Sequence, residues 1–120
     1  MLIFNHSLLD SEKFYDIQSI DDISKTPSNS IVRFSFSEKN VELLKFCKDN
    51  GISCSIDIKN IEQALIASSL EASYLIVSEQ NAKKIQEVAE TYLFDSKVLV
   101  TSKNIEEFAL LGIDGIIIEE

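Results

Sequence analysis

Tryptophan is missing from this sequence, and proline, histidine, methionine and arginine each occur once. Glycine is scarce, at three residues, and cysteine occurs twice. Each shortage excludes some chemistry. One His without a cysteine cluster supplies too few ligands for a His-based zinc site. A Ser–His–Asp triad would have to recruit His6, and no serine sits in a GxSxG nucleophile elbow. The few glycines form neither a GxGxxG nor a Walker-type loop, so no backbone cradle for phosphate is encoded. Cys47 and Cys54 lie outside any CxxC or ligand spacing and read as two buried, reduced thiols, one in a helix and one in a strand. No apolar run approaches the roughly 20 residues of a membrane span. The start, Met1 to Phe4, is too short and lacks the basic flank of a signal peptide, so the expectation is a cytoplasmic chain. No catalytic residue, metal or cofactor is expected.

Positive charge is also short. Eleven Lys and Arg face 20 Asp and Glu, for a formal net charge of −9. Grip on nucleic acid depends on cations neutralising phosphates, and attraction to anionic membranes has the same origin, so neither partner is expected.

What is present is a regular alternation within 120 residues, room for a single domain and one core. Residues 31–36 are β-branched and aromatic and read as a strand. Ser37 then caps a helix carrying Val41, Leu44 and Cys47 on one face, and Asn50-Gly51 stops it. Residues 52–56 form the next strand, and Asn60 with Gln63 resembles a capping box opening a helix through Leu70. A strand over 74–77, a helix from about 80 to 92, and a strand over 97–101 follow. Asn104 with Glu107 repeats the helix-start signal, Gly112 ends that helix, and 115–118 is a last apolar strand. The strands are near-continuous apolar runs separated by single helices, which predicts parallel pairing with right-handed crossovers. The expected fold is α/β, with about five mostly parallel strands alternating with helices over 31–120. The first 30 residues are expected to be an irregular extension packed on the core, with short strands at 1–4 and 14–17 and a short helix ending before Pro27.

An internal repeat runs through the chain. Asp57 to Gln63 matches Thr101 to Glu107, and Leu70 to Val77 parallels Leu111 to Ile118. The segment Leu111-Gly112-Ile113-Asp114-Gly115-Ile116-Ile117-Ile118 resembles the helix-to-strand junction of (β/α)8 barrels. The chain is too short for eight units, so this resemblance implies half a barrel, whose exposed edges could be covered by pairing into a homo-oligomer. Residues 31–118 also resemble a bacterial receiver domain in element order, which implies an open flavodoxin-like sheet. Of the receiver positions, which fall here at Ser35 to Ser37, Ser78, Thr101 and Glu119, only Thr101 fits, so no phosphoacceptor site is supported. The whole chain is similar to small bacterial α/β proteins, which implies no activity.

Ligands of open parallel sheets bind beyond the carboxyl ends of the strands. That rule selects Ser35, Ser37, Glu38, Asp57, Lys59, Ser78, Glu79, Thr101, Lys103 and Glu119. Of these, Asp57, Lys59, Ser78, Thr101 and Lys103 are the candidates for a small anionic ligand, such as a phosphate ester drawn to the two lysines beside helix N-termini. The competing reading is that these residues cap the helices that follow them. Arg33 lies inside an otherwise apolar strand and needs either a sheet edge, where it would serve an interface, or a carboxylate partner. The leading functional expectation is a non-catalytic binding or regulatory module acting through protein contacts. Its alternative is an enzyme or sensor for a small phosphorylated molecule. Lys59 and Lys103 pointing into one cavity would favour the second.

Overall fold

The computed structural model describes residues 1–119. Over these residues the chain forms β1 (Leu2–Phe4), β2 (Phe14–Asp16), α1 (Ile20–Ile23), β3 (Ile31–Ser35), α2 (Val41–Asp49), β4 (Cys54–Asp57), α3 (Ile61–Ser69), β5 (Tyr74–Val77), α4 (Glu79–Thr91), β6 (Lys97–Ser102), α5 (Ile105–Leu110) and β7 (Gly115–Ile118). All seven strands belong to one sheet in the order β1-β7-β6-β5-β4-β3-β2, and every pair is parallel. The strand count corrects the expected five. The first 30 residues are no appendage: β1 and β2 form the two outer strands of the sheet. At three residues each, they are too short to show a hydrophobic period. From β2 to β7 the order is sequential, unlike the reversing order of an open flavodoxin-like sheet.

The sheet is curled. Its inner side carries Phe4, Ile31, Ile76, Leu99 and Ile117, with Phe14 and Tyr74 packed against them, all of them strand residues. The outer side packs Val32, Phe34, Ile56, Leu75, Val77, Val98, Val100 and Ile116 against Leu43, Leu44, Ala64, Ala67, Ala82, Ile85 and Phe108 of the helices. Strands buried on both faces explain the near-continuous apolar runs. Phe4 on β1 and Phe14 on β2 meet at a ring-centroid distance of 5.0 Å, and Tyr74 joins them at 5.7 and 6.3 Å. The outer strands therefore touch through side chains. Phe4 ends β1 and Phe14 begins β2, and this displacement along the strands is what tilting a sheet toward closure produces.

The helix ends repeat one device. Gly51, Glu71, Leu93 and Gly112 follow α2 to α5 with φ of 64°, 63°, 54° and 74°. In each case the next residue donates its N–H to a carbonyl five residues back: Ile52 to Cys47, Ala72 to Ala67, Phe94 to Ala89 and Ile113 to Phe108. This is the Schellman arrangement, which satisfies the last carbonyls of a helix and turns the chain into the next strand. The sequence repeat is realised at these junctions. Ser73 Oγ and Asp114 Oδ2, at equivalent positions, accept the backbone N–H of Cys54 and Val98 at 3.3 and 2.9 Å. It is not realised at the helix starts. Asn60 Oδ1 accepts from Gln63 N at 2.9 Å, the first bond of a capping box, while Gln63 Oε1 accepts at 2.8 Å from the N–H of Lys59, one residue before the cap. Asn104 makes no such bond and instead turns its amide to Glu79 at 3.4 Å. Ser37 caps the turn before α2 by accepting from Asn40 N at 3.1 Å, so the helix itself starts at Val41.

Cys47 and Cys54 are free and buried, as the sequence suggested. They lie against each other, and the contact together with burial pushes the Cys47 thiol well above its ordinary range. Cys47 is therefore not poised to act as a nucleophile at neutral pH, whereas the hydrogen bond between the two thiols holds Cys54 below its ordinary range against the effect of burial.

Candidate functional site

Side chains alternate along a strand, and the parallel register carries the alternation across the sheet. Ile31 belongs to the inner cluster, so Arg33 and Ser35 on β3 share its side. The register aligns Asp16 with Arg33, Arg33 with Ser55, Ser35 with Asp57, and Asp57 with Ile76. The inner side at the carboxyl end of the sheet thus gathers Asp16, Arg33, Ser35 and Asp57.

Arg33 is the centre of this group. Its Nε donates to Asp57 Oδ1 and its Nη2 to Asp57 Oδ2, both at 2.9 Å, a bidentate pair. The side chain is 26% exposed. Its pKa is raised, first by the hydrogen bonds it donates to Asp57 and then by the charges of Asp57, Asp16 and Glu119, against the opposing effect of burial. β3 lies between β2 and β4, so Arg33 is not on an outer strand, and it pairs with a carboxylate.

Arg33 borders two clefts. One, of about 620 Å³, lies under the segment joining β1 to β2 and is lined by His6, Lys13, Phe14, Arg33 and Ile117, among others. The other, of about 630 Å³, is lined by Asp16, Arg33, Ser35, Lys39, Asn40 and Asp57, among others. The first is shaped by Asn5, held at φ 65°, whose Nδ2 donates to Ile118 O at 2.9 Å and whose N–H donates to Ser11 Oγ at 3.3 Å. His6 Nδ1 accepts from Leu8 N at 3.1 Å, so in the neutral ring the proton sits on Nε2.

The rim residues named from sequence are dispersed. Asp57 is in the Arg33 pair. Lys59, Ser78 and Lys103 are exposed and Thr101 is half-buried. Lys103 lies in a shallow cleft with Asn104, Ile105, Glu106 and Glu107, whereas Lys59 lines none of the larger clefts. The two lysines therefore do not share a cavity. Glu79 is held by Ser102 Oγ, which donates to its Oε2 at 2.6 Å. Among the described residues no group of three or more His, Cys, Asp or Glu could hold a metal ion.

At the other end of the sheet lies a surface that the sequence did not suggest. A cleft of about 500 Å³ between the carboxyl ends of α3 and α4 is lined by Leu65, Tyr92, Leu93 and Phe94, with Glu71 and Asp95 beside them. Tyr92 and Leu93 are 67% and 84% exposed. The available signal was the helix end itself: α2 and α5 stop at Gly, α4 at an apolar residue.

Among the described residues no helix is long and apolar enough to cross a membrane. No protein-family model and no curated protein matches this chain, so the geometry of these two ends carries the functional argument.

Proposed function

We propose that the chain is a non-catalytic binding or regulatory module that acts through protein contacts, with a second copy of itself as the partner. The observation that carries this is Leu93. It stands at a left-handed position, φ 54°, where a residue with a Cβ is disfavoured by about 1–2 kcal/mol. It is also an almost fully exposed leucine. Neither the backbone nor the core asks for it, and strain of this kind is the starting point for a functional hypothesis. Beside it lies a cleft in which Leu65, Tyr92 and Phe94 are apolar lining residues, among Ser68, Ser69, Ser73 and Ser96. A projecting leucine and a depression with apolar side chains on one surface can pair under a two-fold axis, where each copy's Leu93 meets Leu65 and Phe94 of the other. Glu71 and Asp95 at the margin would repel across such an axis, so added salt should favour association.

Sedimentation velocity over about 1–500 µM, a range that spans ordinary weak self-association, tests this. The expected result is a dimer whose fraction rises with salt and is lost in Leu93→Asn, while Leu110→Asn, at another exposed leucine, leaves it unchanged. A monomer at every concentration and salt level would sink the proposal.

A further inference from the structure

The mouth around Arg33 supports a second inference, independent of the self-association reading. A guanidinium carries five N–H donors in a fixed fork. Asp57 takes one from Nε and one from Nη2, and among the described residues no other acceptor hydrogen-bonds to Arg33. Three donors, including both on Nη1, are left for solvent or a ligand. The clefts of about 620 and 630 Å³ both open onto this fork, and their sizes are those of small-molecule sites.

The surrounding charges narrow the ligand class. Asp16 and Glu119 act on Arg33 through their charge without bonding to it, and Asp57 is already engaged. A simple anion that reached the free donors would also face these carboxylates. A simple cation that reached Asp16 would face Arg33. A ligand carrying both charges a few bonds apart meets neither penalty, because its carboxylate takes the guanidinium donors and its ammonium lies toward Asp16. The linings agree with this. Arg33 and Lys13 offset Asp10 and Glu12 in the first cleft, and Arg33 and Lys39 offset Asp16 and Asp57 in the second. Each is formally neutral in a chain of net charge −9. Phe14 and Ile117 give an apolar wall to the first cleft, which shares Arg33 but not Asp16 with the second, so a short side chain would lie on that side of the guanidinium. We infer that the mouth beside Arg33 binds a small zwitterion of the α-amino-acid type, with Arg33 taking the carboxylate and Asp16 the ammonium.

The test is a titration of the isotopically labelled protein with individual free amino acids, beside acetate and methylamine as probes bearing one charge each. At about 10 mM, a concentration that detects millimolar dissociation constants, at least one amino acid should shift the amides of Phe14, Arg33 and Asp57 while acetate and methylamine do not. Asp16→Asn, a change at an exposed position outside the Arg33–Asp57 pair, should weaken that binding at least about fivefold, roughly one lost charge-assisted contact. Arg33→Lys should abolish it, and a retained amide spectrum would show that the variant is folded. No response to any amino acid overturns the inference. So does an equal response to acetate alone, which would make the mouth an anion site. Undiminished binding by Asp16→Asn would overturn it as well.

Discussion

Phe4 and Phe14 lie edge to face across the only break in the strand order, at a ring-centroid distance of 5.0 Å and an interplanar angle of 73°. β1 and β2 share no hydrogen-bond ladder, so these rings and Tyr74 tie the two outer strands together. Phe4 is buried, and truncating such a ring costs about 3–5 kcal/mol. Phe4→Ala is expected to lose about 3 kcal/mol in urea unfolding, with amides of β1 and β2 exchanging before those of β5 and β6. Uniform exchange across all strands would show that the aromatic contact does not join the edges.

Leu93 gives the opposite prediction for stability. Replacing a side-chain-bearing residue at positive φ by Gly relieves about 1 kcal/mol of backbone strain, partly offset by the greater freedom of Gly in the unfolded chain. Leu93→Gly should therefore raise the stability of the single chain by about 0.5–1 kcal/mol while removing the side chain on which the proposed self-association rests. Glu71→Gly should give a similar gain, because its 3.0 Å bridge to Lys48 is exposed and contributes little. A lower urea midpoint for Leu93→Gly would mean that the leucine side chain supports the fold of the single chain.

Gly115 begins β7 against β1. A Cβ there would lie 2.9 Å from Leu2 Cβ, 3.0 Å from Leu2 O and 2.5 Å from Leu99 Cδ2. The leucine tip can move aside, but the β1 backbone cannot without leaving the ladder in which Leu2 pairs with Gly115. Gly115→Ala should cost about 1–3 kcal/mol, the usual penalty for overpacking, with fast amide exchange confined to β1 and β7. Wild-type protection at Phe4 would contradict this.

Tyr74 carries a pH dependence. Burial, and to a lesser degree the charge of Glu12, raise its pKa above the ordinary 10. The neutral phenol is thus favoured in the folded state. The stability linked to it is present below pH about 10, where the unfolded phenol is also neutral, and is lost as pH rises through the folded value. Stability measured from pH 9 upward should fall, and Tyr74→Phe should flatten that fall. An unchanged alkaline slope in Tyr74→Phe would assign the effect to other groups.

Much of this architecture was legible in the residues. Apolar runs over 31–35, 74–77 and 115–118 announced buried parallel strands, and Gly51 and Gly112 announced helix ends. Glu71 and Leu93 do the same work without glycine, so their left-handed turns leave no mark in the sequence. β1 and β2 were missed as parts of the sheet because three-residue strands owe their place to partners 17 and more residues away, as Phe14 does to Ile31. For the mouth, Arg33 and Asp57 were each singled out, but their union depended on knowing that β3 and β4 pair. Asp16 was invisible for the same reason. Lys59 and Lys103 looked equivalent by repeat, yet the helix starts they precede are built differently: the Asn60 side chain caps its helix and that of Asn104 does not.

The pairing of Leu2 with Gly115 also sets a timetable. β2 to β7 can assemble in the order in which a ribosome delivers them, each strand finding a neighbour made one unit earlier. β1 is made before them and must wait, because among the described residues its ladder partner is β7. Closing so long a loop is slow compared with the local steps. A growing chain should therefore carry an unattached β1 and an uncovered Phe4 until synthesis has passed Ile118. The inner face is then open to solvent, and to other nascent chains, throughout the synthesis of β2 to β7.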